Sequence, residues 1–258
     1  MSIYFKDKTW PELEALIDKR AAVILPIGTT EEHGHHLPVA TDAIIAKSFG
    51  DELAAAVCKK FPVLLMETIQ YGYSMAVVRR WPGSPNIRAR VFMDYIYDIC
   101  SSLIGMGFRK IVILDCHGNH DGSLRVVMRE IADDTGVFMM TLSPAALSAN
   151  VYNEIKKDPQ GDIHGGEWET SWILSVNEEL VHKDKYTNAD AVRCNGKIRG
   201  PVSTWGLQET ITGLIGDPTY ASKETGDLII SVAVKEGVEL LEEYYYLKSA
   251  EGGTETVR

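Results

Sequence analysis

The sequence predicts a three-layer α/β/α fold with a mostly parallel central sheet. Short apolar runs alternate with longer segments of helical periodicity. Such runs are typical of strands buried on both faces of a parallel sheet, with the helices as crossovers. Of 258 residues, 45% are hydrophobic and 24% charged, which excludes intrinsic disorder and leaves enough apolar material for a sizeable core. The sequence has no internal repeat or linker, so we expect a single domain over residues 1–258.

The first predicted elements are a helix and a buried strand. Thr9 and Glu12 have the spacing of a capping box, and apolar residues then repeat with helical period over 10–19. Residues 21–27 form an apolar run that stops at Gly28, the pattern of a strand covered on both faces. A polar, histidine-rich segment follows this strand directly.

Later segments continue the alternation. Residues 110–115 are the clearest buried strand, and Gly105 and Gly107 are placed to end the helix before it. The polar, glycine-rich stretch 184–222 predicts no regular element. The remaining predictions are helices over 43–59, 88–106, 121–134, 167–177 and 224–247, and strands over 63–67 and 137–142.

Charge and cysteine content exclude several classes of function. Acidic residues outnumber basic ones 36 to 26, and a net charge of −10 argues against binding to nucleic acid or to an anionic membrane, so we expect a small-molecule partner. No segment has the apolar length of a membrane span, and the first eight residues do not resemble a signal peptide. The cysteines lack CxxC spacing, which favours a reducing, cytoplasmic location. They are Cys58, Cys100, Cys116 and Cys194.

Histidines gather after two of the predicted strands. Glu31, His33 and Asp42 follow the first strand, and one imidazole with two carboxylates is a donor set suited to Zn²⁺, Mn²⁺ or Fe²⁺. In an extended segment Glu31 and His33 share one side, so Glu32 is expected to point away. His117 follows the strand 110–115 and is expected at the same edge of the sheet. The two clusters hold five of the seven histidines: His33, His35, His36, His117 and His120.

A third polar segment, residues 164–171, begins at the predicted start of a helix. His164 would lie in the preceding loop and Glu169 in the first turn, so both could face one cleft, whereas Glu167 would point elsewhere. A single histidine near a strand end is more often structural than a ligand. Three segments converging on one edge favour a metal site instead. His182 lies in a charged stretch and is expected in solvent; His35, His36 and His120 stay open between the two roles.

These segments resemble the creatininase (creatinine amidohydrolase) family. Residues 25–38 read Leu-Pro-Ile-Gly-Thr-Thr-Glu-Glu-His-Gly-His-His-Leu-Pro and are followed by Thr-Asp at 41–42, which is similar to the signature of that family. Trp-Pro-Gly-Ser at 81–84, Asp-Cys-His-Gly-Asn at 115–119 and His-Gly-Gly-Glu-Trp-Glu-Thr-Ser at 164–171 resemble further motifs, and Gly-Asp-Pro at 216–218 a late turn. The similarity runs in family order from about residue 23 to 226.

The resemblance implies a two-metal hydrolase that uses zinc, manganese or iron, has a three-layer α/β/α fold and commonly assembles as a hexamer. Carried over by position, Glu31 and His117 would bind one metal and His33 the other, with Asp42 as the bridge. Creatininase has a metal-binding glutamate two residues after the second-cluster histidine, where this chain has Asn119. Glu169 is therefore the candidate that completes the second site.

The resemblance also predicts the chemistry. A metal-activated water would attack a cyclic amide or a formamide, and His164, which matches a proton-shuttle histidine, would protonate the departing nitrogen. Trp168 and Ser74 are candidates to line the substrate pocket, although an exposed turn hydroxyl is an equal alternative for Ser74. Arg79 or Arg80 could pair with an anionic substrate group or lie in a solvated loop.

Two alternatives stay open at this point. The same site could open a cyclic ketone or a lactone-like ring by hydrolysis. The chain could also be a non-catalytic metal-binding protein, in which Asn119 in place of a carboxylate has removed one of the two metals.

Overall fold

Four parallel strands form the central sheet of the protein. The computed structural model describes residues 2–159, 162–187 and 210–247. Within these ranges the strands lie in the order β2-β1-β3-β4, and each neighbouring pair is parallel. The strands are β1 (Ala22–Ile27), β2 (Val63–Leu65), β3 (Lys110–Asp115) and β4 (Met140–Leu142).

Helices cover both faces of this sheet. Alternate residues of β1 and β3 point to opposite faces, so Ile24 and Val112 pack in one core and Val23 and Ile111 in the other. The first core lies under α2, α5, α6 and α7, and the second under α1, α3 and α4. The helices are α1 (Trp10–Asp18), α2 (Thr41–Val57), α3 (Ala89–Met106), α4 (Asp121–Thr135), α5 (Pro144–Ile155), α6 (Glu167–Asn177) and α7 (Lys223–Tyr246).

Helix boundaries follow local signals in the sequence. The capping box of α1 is formed, because the Glu12 carboxylate accepts the Thr9 backbone N–H at 2.8 Å. Helix α3 ends at Gly107, which adopts a φ of 116° that glycine tolerates without strain. The predicted three-layer fold and its alternation of strands and helices are confirmed.

The structure also corrects some boundaries. Helix α2 begins at Thr41 rather than at 43, so Asp42 lies in a helical first turn and not in the preceding loop. Strand β4 begins at Met140 rather than at 137. Helix α5 was not predicted, and most of the glycine-rich stretch 184–222 lies outside the described residues.

Two further expectations can be compared with the described part of the chain. Cys58, Cys100 and Cys116 are free thiols there, and Cys194 lies outside it. Among the described helices, none combines the length and the apolar character needed to cross a bilayer.

Candidate active site

The carboxyl ends of β1 and β3 bring the two histidine clusters together. Ile27 at the end of β1 pairs with Asp115 at the end of β3, so the loops that follow start side by side. Helix α2 approaches the same edge closely: a Cβ on Gly28 would lie 2.5 Å from the Ala43 backbone nitrogen. Only glycine permits this approach, which places Asp42 at the sheet edge.

One candidate ligand triad consists of Glu31, Asp42 and His117. The Nδ1 atom of His117 lies 2.8 Å from Oδ2 of Asp42 and 3.6 Å from Oε1 of Glu31. All three side chains are buried, and their donor atoms lie within 4.8 Å of one another. The geometry therefore joins the end of β3, the loop after β1 and the first turn of α2.

A second triad consists of His33, Asp42 and Glu169. The Nε2 atom of His33 lies 3.1 Å from Oδ1 of Asp42 and 3.7 Å from Oε1 of Glu169. Helix α6 supplies Glu169 from its first turn. The two carboxylate oxygens of Asp42 thus face different histidines, one in each triad. The structure brings all five predicted ligands together; their role as metal ligands stays a prediction.

The hydrogen bonding of this cluster is incomplete. Neither carboxylate oxygen of Glu31 has a hydrogen-bond partner among the described residues, and the same holds for Nε2 of His117. Glu31 is fully buried, and burying an unpaired carboxylate costs several kcal/mol. Ligand atoms 2.0–2.2 Å from a tetrahedral ion lie about 3.3–3.6 Å apart, within the range of donor separations seen here. The residues fit divalent cations.

Electrostatics point the same way. Burial disfavours the charged form of His117, yet Glu31 and Asp42 outweigh burial and raise its pKa to about 9. Burial also opposes protonation of His33, but Asp42 and Glu169 raise the pKa of that histidine well above its ordinary value. The carboxylates thus create a negative potential that favours a positive charge at this place.

His164 lies against both triads. Its Nε2 atom is 2.7 Å from the carbonyl oxygen of Glu32, and its ring centroid is 4.3 Å from that of His33. A carbonyl oxygen only accepts, so Nε2 carries a proton and Nδ1 faces Oε1 of Glu31 at 3.8 Å. Glu31, His33 and His164 form a third group with the spacing of metal ligands. His164 can therefore hold or release a proton at Nδ1, or bind a cation there.

A cavity of about 530 Å³ opens beside the cluster. His117, Trp168 and Glu169 line it, together with one face of α5 and the ends of β3 and β4. The Trp168 indole N–H donates to the Ser148 hydroxyl at 3.0 Å, which fixes the ring in the cavity wall. This is room for a substrate much larger than a single small ring.

Ser74 does not contribute to the described wall of this cavity. The side chain is fully buried, so it is not an exposed turn hydroxyl, and its Oγ has no hydrogen-bond partner among the described residues. Its backbone N–H donates to Oδ1 of Asn86 at 2.9 Å. Substrate binding by Ser74 stays a prediction.

The other polar candidates separate by burial. The Arg80 guanidinium donates to the Thr210 carbonyl oxygen and stacks on Trp81, while Arg79 is exposed.

His36 is buried, with Nε2 2.9 Å from the Thr170 hydroxyl oxygen. His35 and His182 are exposed, as expected for His182. Glu167 accepts two backbone N–H groups that follow α5, so its side chain points away from the site. Asn119 is partly buried, and its Nδ2 has no hydrogen-bond partner in the described chain.

Two acidic residues of the site were not predicted. Glu32 was expected to point away, but it is buried, accepts the Gly34 N–H and lies 3.5 Å from Nε2 of His164. Asp162 lies in the cavity wall and accepts the Trp168 backbone N–H; burial and the charge of Glu169 raise its pKa to about 7. The signal for Asp162 was its position two residues before His164.

The sequence pattern that defines the creatininase family, described as creatinine amidohydrolase, matches residues 6–241. This chain belongs to the creatininase family. A match of this length covers every element that builds the site, from α1 into α7. The chain is accordingly a hydrolase of the creatininase family, as the sequence motifs predicted.

Relatives of this creatininase-family chain act on different compounds. A 3-dehydro-scyllo-inosose hydrolase of Thermotoga maritima is 23% identical, over 94% of this chain and 81% of the relative. A creatinine amidohydrolase of Pseudomonas putida is 26% identical, over 91% and 94%. A mycofactocin precursor peptide peptidase of Mycobacterium tuberculosis is 27% identical, over 84% and 83%.

Solved creatininases share the fold. A manganese creatininase has a TM-score of 0.80 and a zinc–zinc form of a mutant creatininase has 0.79; each is 23% identical, over 96% of this chain and 100% of the other. The agreement in fold extends over nearly all of both chains.

Proposed function

We propose that this chain is a metal-dependent hydrolase that cleaves the carbon–nitrogen bond of a cyclic amide or a formamide. The observation that carries the proposal is the pair of triads that share Asp42, with each carboxylate oxygen turned to a different histidine. Glu31 and His117 would hold one divalent ion and His33 and Glu169 the other. Zinc, manganese and iron suit this donor set, and the manganese and zinc–zinc creatininases support it.

Divalent cations bound there would supply a water of lowered pKa as the nucleophile and would polarise the scissile carbonyl. The protein side chains would supply the rest. His164 would protonate the departing nitrogen from its own Nδ1 atom, because its Nε2 proton is donated to the Glu32 carbonyl oxygen. Trp168 and the adjoining face of α5 hold the substrate beside the cluster and exclude water.

Ring opening of a cyclic ketone or a lactone-like compound is the second candidate. It is favoured by the relative from Thermotoga maritima, which is named as a hydrolase of a dehydro-inosose and matches 94% of this chain. Both reactions use the same nucleophile, but they release different groups. The leaving atom is nitrogen for an amide, carbon for a cyclic ketone and oxygen for a lactone, and this atom is what an experiment must identify.

The test is a product analysis by NMR on zinc- and manganese-loaded protein. The panel contains cyclic amides, formamides, a cyclic 1,3-diketone and a lactone. Release of an amine or formate supports the proposal, and opening of the diketone or lactone alone moves it to the second candidate. Metal-free protein and His164→Asn are the controls against a contaminating hydrolase. No turnover of any compound, with one metal per chain, would favour the non-catalytic metal-binding alternative that Asn119 raises.

The organisation of the protein belongs to the same proposal. The family match over residues 6–241 supports one domain spanning the chain. We also keep the expectation of a small-molecule substrate and a cytoplasmic homohexamer. Light scattering on the purified protein would test the hexamer.

A further inference from the structure

We propose that His120 is a positioning residue that ties the backbone of the metal-site loop to the loop that carries Ser74. This inference rests on the proposed function for its catalytic meaning, but not for its geometry. His120 is fully buried at the start of α4 and is absent from both ligand triads. Its ring makes two hydrogen bonds, one to Asp115 at the end of β3 and one to the Tyr73 backbone in the loop that carries Ser74.

The hydrogen bonds fix the tautomer of the ring. The backbone N–H of Tyr73 points at Nε2 of His120 at a distance of 3.2 Å. An amide nitrogen only donates, so Nε2 accepts and the ring proton lies on Nδ1. Nδ1 then donates to Oδ1 of Asp115 at 3.3 Å. One neutral imidazole thus serves as an acceptor on one side and as a donor on the other.

The Asp115 side leads to a candidate metal ligand. The same Oδ1 atom also accepts the backbone N–H of His117 at 3.3 Å. The His117 and His120 rings are 4.7 Å apart in an edge-to-face arrangement. A shift of His120 would therefore move the carboxylate that anchors the His117 backbone, and with it the His117 ring. Partners of metal ligands change metal affinity about 10- to 100-fold when they are removed.

The Tyr73 side leads to a candidate substrate residue. A Cβ on Gly72 would lie 2.2 Å from Nε2 of His120, so the loop is pressed against the ring. Ser74 follows directly, buried and with a hydroxyl that has no partner among the described residues. Phe92 stacks on the His120 ring, with centroids 4.2 Å apart and planes at 21°. The His120 ring therefore packs against both Phe92 and the 72–74 loop.

Two substitutions separate the two sides of the ring. His120→Asn places an amide N–H near the position of Nδ1 and keeps the bond to Asp115, but it loses the acceptor for Tyr73. His120→Gln places a carbonyl oxygen near the position of Nε2 and keeps the bond to Tyr73, but it loses the donor to Asp115. If His120 only filled space, the two variants would not differ in which side of the ring they disturb.

The experiment measures hydrogen exchange of the Tyr73 and His117 backbone amides by NMR, in metal-free and zinc-loaded full-length protein. We expect His120→Asn to accelerate exchange of the Tyr73 amide about tenfold with little effect at His117, and His120→Gln to do the reverse. His120→Gln should also release Zn²⁺ to a chelator about tenfold faster. On a turned-over substrate, His120→Asn should raise KM and His120→Gln should lower kcat.

Phe92→Leu is the control, because it removes packing on the same ring and keeps both hydrogen bonds. It should lower the melting temperature without selectively accelerating hydrogen exchange of either the Tyr73 or the His117 amide. Equal acceleration of both amides in both histidine variants, or of neither, would overturn the proposal. These amide measurements need no substrate, so they stand even if no carbon–nitrogen bond is hydrolysed.

Gly72→Ala tests the link from the other side if the histidine variants do not fold. The added methyl group would push the His120 ring without touching His117. Acceleration of both amides supports the link across the ring. An effect confined to Tyr73 would contradict it.

Discussion

The two ends of strand β3 both bury charge, but they satisfy it in opposite ways. At the start of the strand, Lys110 is 2% exposed and its ammonium donates to the carbonyl oxygens of Tyr244 at 3.1 Å and Leu247 at 2.6 Å. At the other end, Glu31 is fully buried beside His117, and neither of its carboxylate oxygens has a hydrogen-bond partner in the described chain. The charge of Lys110 is satisfied by hydrogen bonds within the protein, whereas the charge of Glu31 favours the binding of a cation.

This difference separates stability from function. A buried charge with two partners closes the end of α7 and holds it to the sheet. Burying a carboxylate without hydrogen-bond partners costs free energy of folding, so its presence in a folded protein indicates a binding role. Substitutions at the two ends should therefore affect different measurements.

The largest effect is expected for Glu31→Gln. The change keeps the shape of the side chain but removes one negative charge from the cluster. We expect kcat/KM to fall by at least about 10³-fold and zinc affinity to fall with it, while the metal-free protein keeps or gains stability because less charge is buried. Steady-state kinetics, zinc titration and urea unfolding measure the three quantities.

Glu14→Gln, the same exchange at an exposed position of α1, is the matched control and should change none of them. A metal-free Glu31→Gln protein that unfolds much more easily than the parent would contradict this view of the carboxyl end.

The next effect is expected for His164→Asn. If His164 carries the proton, kcat falls about 10²- to 10³-fold and the zinc content stays at the parent value. If His164 is instead a ligand in the third group, zinc is lost together with activity. Measuring kcat and zinc content on the same sample decides between the two roles, and zinc loss would remove His164 from proton transfer.

Much of the site could be predicted from the sequence, because strand ends in a parallel sheet meet at one edge. His33 and His117 follow two such strands and do meet there. Asp42 was predicted correctly as a neighbour of both, although its place in the first turn of α2 depends on the close approach at Gly28. That approach is a tertiary contact, which no local pattern carries.

Other features had weak local signals. Helix α5 lines the cavity with small residues, such as Ala145 and Ala149, and these alanines weaken the apolar periodicity of its sequence. Glu32 escaped prediction because the rule of alternating sides holds only for extended chain. The backbone turns at Gly34, which has a φ of 74°, and Glu32 accepts the N–H of that glycine.

Lys110→Met tests the amino end of β3. The substitution keeps most of the apolar stem but leaves the Tyr244 and Leu247 carbonyl oxygens without their ammonium donor. We expect a loss of about 2 kcal/mol in the free energy of unfolding, with no change in zinc content. Lys47→Met, at an exposed pair with Asp51, should cost less than about 1 kcal/mol. Equal losses in the two variants would show that burial of Lys110 has no special importance.

The smallest expected effect is a loss of stability at alkaline pH, caused by Tyr244 at the same amino end of β3. Burial raises the pKa of Tyr244 to about 12, above the value near 10 of an unfolded tyrosine. Between pH 10 and 12 the folded protein keeps a proton that the unfolded chain has lost. The contribution to stability is therefore complete below pH 10 and is lost as pH rises toward 12. Tyr244→Phe has no hydroxyl to titrate and therefore lacks this contribution to stability.

Urea unfolding of the parent and Tyr244→Phe at pH 9 and pH 11 measures that contribution. The stability advantage of the parent should shrink by about 1 kcal/mol between the two pH values. An advantage that stays constant would place the Tyr244 hydroxyl in a more solvated setting than its contacts with Phe138 and Ile111 indicate.

The most direct test of the shared-carboxylate site is the number of metal ions per chain in protein purified without a metal-affinity tag. Elemental analysis should find about two ions in the parent, about one in Glu169→Ala and none in Asp42→Ala, because both triads use Asp42. One ion or none in the parent, with counts that do not respond to Asp42→Ala, would contradict a binuclear centre built on Asp42.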